Sequence, residues 1–495
     1  FYEFKIVTQT GASAAAPGGP TLPIIQVNAG LAVNNRGQVA VPVRVRQNGS
    51  NAPAVLLEVD GQSQPILAET PAEYFLDADP FNAIIKTVDY SDSGAFTFDR
   101  WRGGGGGILP AATVYRGAVL GGIPTVTEVM TKTGAGASFY AAHGSWPSLS
   151  AEGTIGFFSS AFDIYGTSSQ PYTNRVAVSR PAAPGYSMPR TALFAGTSPG
   201  GVVQPNYPVI GQHEVYAVVK GQQTNNAAVI RVDESGTEQI VASTGAGAED
   251  FTHFGWFADM TEDSKFVSFL GRRTSGQEGI FLRVFDAEWG SSSLIPLIDT
   301  NFVFAVDEEG DPIRFRSFDF NNRPSIIHQN GVNPAGVMSN SIVVLFHATP
   351  SHGSRGNPHA GNRPMYFNSQ PGIWAARFTI ESGLADSNYK TVHFRSLVPV
   401  IQVGDVIRDQ AGDDLAIEDL QIFNSLGTAT NGPNGAIRET MGKKPMPGDH
   451  VVAFWALADG QAFAIKGYHL DSDGDGLLDH WERGGGGIDI DRDGQ

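Results

Sequence analysis

A turn followed by alternating apolar residues recurs seven times, and this repetition constrains the fold more than any other feature of the chain. The copies are NNRGQVAVPVRV (34–45), YSDSGAFTFDRW (90–101), LSAEGTIGFFSS (149–160), IGQHEVYAVVKG (210–221), MTEDSKFVSFLG (260–271), FNNRPSIIHQNG (320–331) and FNSLGTATNGPN (423–434). The glycine or its equivalent falls at 37, 94, 153, 213, 264, 323 and 427, at intervals of 57, 59, 60, 51, 59 and 104. A second phrase, TQTGAS (8–13), TKTGAGAS (131–138) and ASTGAGAED (242–250), recurs beside it. Period-two alternation rich in β-branched and aromatic residues reads as strand, and the Asn/Asp/Gly clusters read as turns. Several short strands in each repeat describe a propeller blade, a four-stranded sheet set around a central channel.

The expected fold class is therefore all-β: a β-propeller of seven blades over residues 1–468, followed by a short acidic calcium-loop extension over 469–495. An open ring would expose two sheet edges to aggregation. The strand-like YEFKIVTQ (2–9) is accordingly expected to pair with the last repeat around VVAFWALADGQAFAIKGY (451–468).

Composition supports this and excludes other classes. At 495 residues the chain exceeds one ordinary core, as a repeat architecture allows. Glycine and proline together make up about 18% of residues, a turn-rich level that is still below that of disordered chains. The net charge of −17 disfavours nucleic acid and anionic membranes as partners. Without cysteine there are no disulfides, thiolate metal sites or Cys nucleophiles. No apolar run reaches membrane-spanning length. The chain begins at Phe1 with no signal-peptide pattern, which reads as a processed form or a fragment.

The stretch DSDGDGLLDHWE carries the most specific chemistry. Asp471, Asp473, Asp475, Asp479 and Glu482 occupy positions 1, 3, 5, 9 and 12 of a cation loop, with Gly476 at the sharp turn and the Leu477 carbonyl at position 7. Alternate residues of such a loop point inward, and the last Glu closes the shell with two oxygens. Asp489, Asp491 and Asp493, followed by Gly494, restart the pattern eighteen residues on. Calcium is the expected cofactor; the plain alternative is a solvated acidic tail.

The turn-strand phrases, the opening YEFKIVTQTG and the acidic loops resemble the bacterial tandem NxxGxxAF-repeat surface proteins that carry varied C-terminal anchors. The likeness covers residues 1–468 in pattern, although His213 and Ser264 stand at the glycine position of the fourth and fifth copies. The tail is similar to thrombospondin type 3-like repeats and to dockerin loops. The resemblance implies export and surface exposure, and brings no catalytic residues with it.

Weaker signals have plain readings. GTSPG (196–200) matches a nucleophile elbow in letters, but Pro199 and the following GVVQPNYPV indicate a turn between blades, not a helix. HATPSHGSRGNPHAGNRP (347–364) gathers His347, His352, Arg355, His359 and Arg363, as an anion, glycan or metal site or as a solvated insertion. The glycine runs 103–107 and 484–487 read as linkers, and NGS (48–50) as a silent acceptor triplet.

The function expected from these features is structural or adhesive, and not enzymatic. The chain would be secreted to a bacterial cell surface or matrix, partnered by other surface proteins, by copies of itself or by glycans. The alternative is a secreted polysaccharide-active propeller hydrolase or lyase, which would need a cluster of acids, His and aromatics at the channel mouth. A ligand-binding module is a third reading. The loop assignment predicts that calorimetric titration of chelator-treated protein shows calcium binding, and that Asp473→Ala with Glu482→Ala abolishes it. Equal binding by the double variant would contradict the assignment.

Overall fold

The structure, a computed structural model, describes residues 2–59, 65–69, 84–102, 111–129, 140–162, 173–180, 190–192, 197–198, 201–202, 205–220, 227–245, 250–285, 294–307, 309–332, 338–358, 364–382, 390–409, 411–423, 426–427 and 450–469. Among these the helical element is one 3-10 turn, Gln212–Glu214. The rest is predominantly antiparallel sheet and its turns, arranged as a β-propeller, with six sheets of four or more strands among the described residues. The largest sheet, of eight strands, consists of two antiparallel four-stranded units joined by a parallel pairing at Ala112 and His143. Counted as units, the described strands make seven, in sequence order.

The apolar faces show the same sevenfold division. Seven buried clusters lie between successive units. Val55, Leu57 and Phe98 join the first to the second; Val114 and Phe157 the second to the third; and Val178 and Val218 the third to the fourth. Val229 and Phe269 join the fourth to the fifth, and Leu282 and Phe346 the fifth to the sixth. Ile373 and Phe454 join the sixth to the seventh, and Val43 and Val451 close the seventh onto the first. Each sheet thus buries both faces against its neighbours, as a radial stack requires.

Closure follows the expected route. Glu3–Gln9 pairs antiparallel with Gln461–His469, from Glu3 opposite Tyr468 to Gln9 opposite Phe463. The first residues of the chain therefore form the outer strand of the last unit. The buried Tyr2 hydroxyl lies 2.6 Å from His450 Nε2, beside this seam. Lys466, fully buried in the same hairpin, donates to Glu58 Oε2 of the first unit at 2.5 Å and to the Gly37 carbonyl at 3.4 Å.

The repeat phrase has a conformational cause. Gly37, Gly94 and Gly153 have φ of 75°, 81° and 83°, in the left-handed region open to glycine. His213 and Ser264 hold the same region at 55° and 59°, so the turn geometry persists where the glycine does not. The sixth phrase differs: its turn, closed by the Asn322 N–H on the Asp319 carbonyl, leads into the inner strand Ser325–Val332 and does not leave one. NGS is the tip of the hairpin in which Gln47 pairs with Ser50. Asn48 and Gly49, at φ 51° and 80°, form the primed turn that such hairpins favour.

Burial of Lys466 lowers its pKa, and Glu58 opposes that shift. Removing one partner of a buried pair strands the other charge, at a cost of about 3–5 kcal/mol, whereas an apolar replacement of both is often neutral. Lys466→Met should therefore lower stability to denaturant by about that amount, and Lys466→Met with Glu58→Met should recover most of it. Equal losses in the single and double variants would contradict the pairing.

Candidate functional site

Beyond short pairings such as His143 with Ala112 and Thr87 with Gly30, the inner strand of each unit runs towards its turn with a sheet partner on one side, so polar groups there find partners across units. The strands concerned are Thr21–Val27 with Ala32–Val33, Ile84–Tyr90, Tyr140–Leu149, Pro205–Ile210, Phe251–Met260, Ser325–Val332, and Asp414–Gln421 with Leu426–Gly427. Side chains two residues ahead of each turn make several of these links. Asp89 accepts from the Leu149 N–H at 2.7 Å, Ser148 Oγ from the Ile210 N–H at 3.2 Å, and Asp259 Oδ2 from the Ile326 N–H at 2.8 Å.

These same side chains help to line a cavity of about 180 Å³, of mixed polar and apolar walls, at the end of the channel where the turns lie. Its walls come from six units and include Asn34, Asp89, Ser148, Asp259, Glu262 and Arg323. Arg323 and Asp259 are buried and joined through Nη2 and Oδ1 at 2.5 Å. Asp89 is only partly exposed. Burial pushes its carboxyl up to about 6, against the opposing effects of the Leu149 N–H, the Arg323 charge, the Tyr90 N–H and the Ser148 hydroxyl. At the rim, burial and the Asp92 charge raise Glu262, which accepts from Asn35 Nδ2 at 3.0 Å. That bond joins the first unit to the fifth, so it crosses the mouth.

Beneath the carboxylates lies a layer of aromatic rings. Trp146, Tyr207 and Phe257 stand two residues before Ser148, Val209 and Asp259, each where the strand register shifts by a bulge. Trp146 and Tyr207 take left-handed φ of 53° and 34° there. The bulges direct the rings into contact: Trp146 to Tyr207 at 3.9 Å, Tyr207 to Phe257 at 4.2 Å, and Phe423 to Tyr207 and Phe257 at 5.9 and 5.4 Å. Because Phe423 belongs to the seventh unit, the stack spans the channel. The Arg323 guanidinium lies over the Phe423 ring at 5.8 Å, linking the aromatic layer to the carboxylate layer. Burial and the Asp99 charge raise the Tyr207 hydroxyl, which stays protonated.

The residues singled out from sequence lie elsewhere. Asp471, Asp473, Asp475, Leu477, Asp479, Glu482, Asp489, Asp491 and Asp493 fall outside the described residues, as do His359, Arg363 and both glycine runs. His347 is not part of a loop: it lies within the strand Met338–Pro350, 8% exposed, with Nδ1 3.5 Å from Asp319 Oδ2, and burial lowers its pKa. His352 bonds to the neighbouring Ser351 at 2.9 Å, and Ser354–Pro358 pairs with Pro364–Phe367. Ser198 of GTSPG lies in a two-residue strand opposite Gly201. No helix among the described residues is long and apolar enough to cross a membrane.

No family model and no curated protein matches the chain. Several solved structures do, weakly. A Mycobacterium tuberculosis puromycin-hydrolyzing peptidase is 13% identical at TM-score 0.34, over 67% of this chain and 44% of that one, so the chain spans less than half of that peptidase. A Hadza microbial sialidase is 12% identical at TM-score 0.33, over 73% of each chain. A Trypanosoma rangeli sialidase is 9% identical at TM-score 0.34, over 92% of this chain and 59% of that one. These findings correct the expectation that the chain is not an enzyme: that expectation excluded catalysis outright, and the matched structures are enzymes. Likeness at this level assigns no activity or substrate to this chain.

The raised Asp89 carboxyl has a consequence for stability. Its pKa rises from 3.8 to about 6, so the folded state holds a proton that the unfolded chain has lost. The resulting stabilisation is full below pH 4 and disappears as pH rises through about 6, a loss of about 3 kcal/mol at about 1.4 kcal/mol per pKa unit. Asp89→Asn should flatten that fall, seen as a smaller difference in urea stability between pH 4 and pH 7.5. An unchanged pH slope would contradict the shift.

Proposed function

We propose that the channel mouth is the active site of a glycan-processing enzyme, a hydrolase that acts on polysaccharide or oligosaccharide. The observation supporting this is the presence of two unlike carboxyls in the wall of one cavity. Asp89 is raised to about 6, while Asp259 is bound to Arg323 and to a backbone N–H. Two carboxyl groups in different environments are the usual equipment for cleaving a glycosidic bond. Asn and Ser side chains around them match the hydroxyls of a sugar.

In this reading Asp89 is the general acid. Its proton passes to the glycosidic oxygen as the bond from that oxygen to the sugar carbon breaks, leaving the bonding pair on oxygen. Water adds to the sugar carbon and gives up a proton, which restores Asp89. Asp259, fixed by Arg323, supplies negative charge beside the developing cation. A lyase would need a base to remove a carbon-bound proton, and a carboxyl held protonated up to about pH 6 suits donation better.

The Asp-rich segments complete the proposal. Asp471 to Glu482, with Asp489, Asp491 and Asp493, would bind calcium just beyond the last strand of the ring, in a protein working outside the bacterial cell. Residue spacing alone supports that part. A screen of plant, microbial and host polysaccharides, read as released reducing ends, should identify a substrate. On that substrate Asp89→Asn should lower kcat by about 10²–10⁴, the range of general acid catalysis, and wild-type kcat/KM should fall as pH rises through about 6. Wild-type turnover by Asp89→Asn would contradict the assignment.

A further inference from the structure

We infer that the channel mouth is a one-residue pocket that accepts the terminal sugar of a glycan, so the enzyme works from chain ends. This deepens the glycan-processing reading and rests on it. Three observations carry it, and all are geometric.

First, aromatic rings cross the channel. A sheet ring with an open axis could thread a polymer, but the contacts of Phe423 with Tyr207 and Phe257, at 5.9 and 5.4 Å, run from the seventh unit to the fourth and fifth. With Trp146 against Tyr207 at a centroid separation of 3.9 Å, the rings span the axis one layer below Asp89 and Asp259 and stand in the way of a threaded chain. The bulges that place these rings occur in three successive inner strands, at Ser145/Ser148, Asn206/Val209 and Phe254/Ala258. Left-handed φ at Trp146 and Tyr207 is uncommon outside glycine and costs backbone strain, which points to a functional setting for the rings.

Second, the cavity above the plug is small. A cavity of about 150 Å³ takes benzene. At about 180 Å³, with its mouth open to solvent, this one has room for about one six-membered ring whose hydroxyls reach the rim, and not for a run of several sugars.

Third, the rim is bridged. Asn35 and Glu262, from the first and fifth units, meet at 3.0 Å across the mouth, where a groove for the interior of a chain would have to pass. A chain end can enter beside that bridge; a continuous chain cannot lie beneath it. The bond to be cut is then the first glycosidic linkage, at the level of Asp89, and the product is a monosaccharide.

The test is binding as a function of chain length. It uses the full-length protein carrying Asp89→Asn, which keeps the cavity and prevents turnover. The probes are hexoses, hexuronic acids and N-acetylhexosamines, each alone and as its linear tetrasaccharide, measured by saturation-transfer NMR and calorimetry. The inference predicts that at least one monosaccharide binds and that its tetrasaccharide binds within about threefold of the same affinity. Wild-type protein given that tetrasaccharide should release monosaccharide as its first product. Tenfold or greater tightening with length, or oligosaccharides as first products, would overturn the end-acting inference and leave the glycan reading intact. Sugar binding without wild-type turnover would overturn the hydrolase reading and support the one-residue pocket. Absence of binding by every sugar would overturn both.

Discussion

The structure depends on one constraint: a ring of sheets must close, and its inner strands, which meet the adjacent units through only a few main-chain bonds, must satisfy their remaining backbone groups with side chains. The outer seam is closed by main-chain pairing of Glu3–Gln9 with Gln461–His469. The inner circle is closed differently, by side-chain links together with single main-chain bonds such as Val88 N–H to the Gly30 carbonyl and Gln212 N–H to the Glu262 carbonyl. Asn28 donates to the Ile85 carbonyl, Asp99 accepts from the Trp146 N–H, and Asn322 accepts from the Ile422 N–H. Trp455 Nε1 donates to the Val27 carbonyl and completes the circuit between the seventh unit and the first. Buried donors left without partners would each cost about 1–3 kcal/mol, so these short polar residues are as necessary to the ring as its apolar clusters.

The candidate site is built from the same links. Asp89 and Asp259 each receive the N–H of the next unit's inner strand, and each also faces the cavity. Structural and chemical roles therefore share atoms. The Leu149 N–H holds Asp89 in position, while burial keeps its proton on to a higher pH than a surface carboxyl would. A carboxyl held by the scaffold costs little further ordering when a substrate arrives, which is the condition for effective acid catalysis. The aromatic layer beneath removes water from one side, and its bulges fix the depth at which a ligand stops.

Much of the ring was legible in the sequence because it rests on local rules. Alternation gave strands, and the turn phrase marked where an inner strand ends. Even the fourth and fifth copies, with His213 and Ser264 in place of glycine, kept the left-handed turn, since hydrogen bonds across the turn such as Ser264 N–H to the Thr261 carbonyl hold it. The sixth copy misled because its turn has the right residues at the opposite end of the strand. The site was harder to read. Asp89 and Asp259 stand at one register position, two residues before a turn, where Ser148 and Val209 stand in other units. Aligning the repeats on their turns would have shown both. Nothing local shows that positions 170 residues apart meet Arg323 across an axis, and nothing short of three-dimensional packing reveals the plug of Trp146, Tyr207, Phe257 and Phe423. The strongest motif, the acidic loop from Asp471, lies apart from all of this and bears on the extension alone.

The central claim is that the fold holds a proton on one channel-mouth carboxyl into the pH range where hydrolysis takes place. Titration of the protein labelled with carboxyl-carbon-13 aspartate, with Asp89→Asn to assign the resonance, tests it without knowledge of the substrate. The account predicts that the Asp89 signal titrates near pH 6. A midpoint near 4, the ordinary aspartate value, would contradict it.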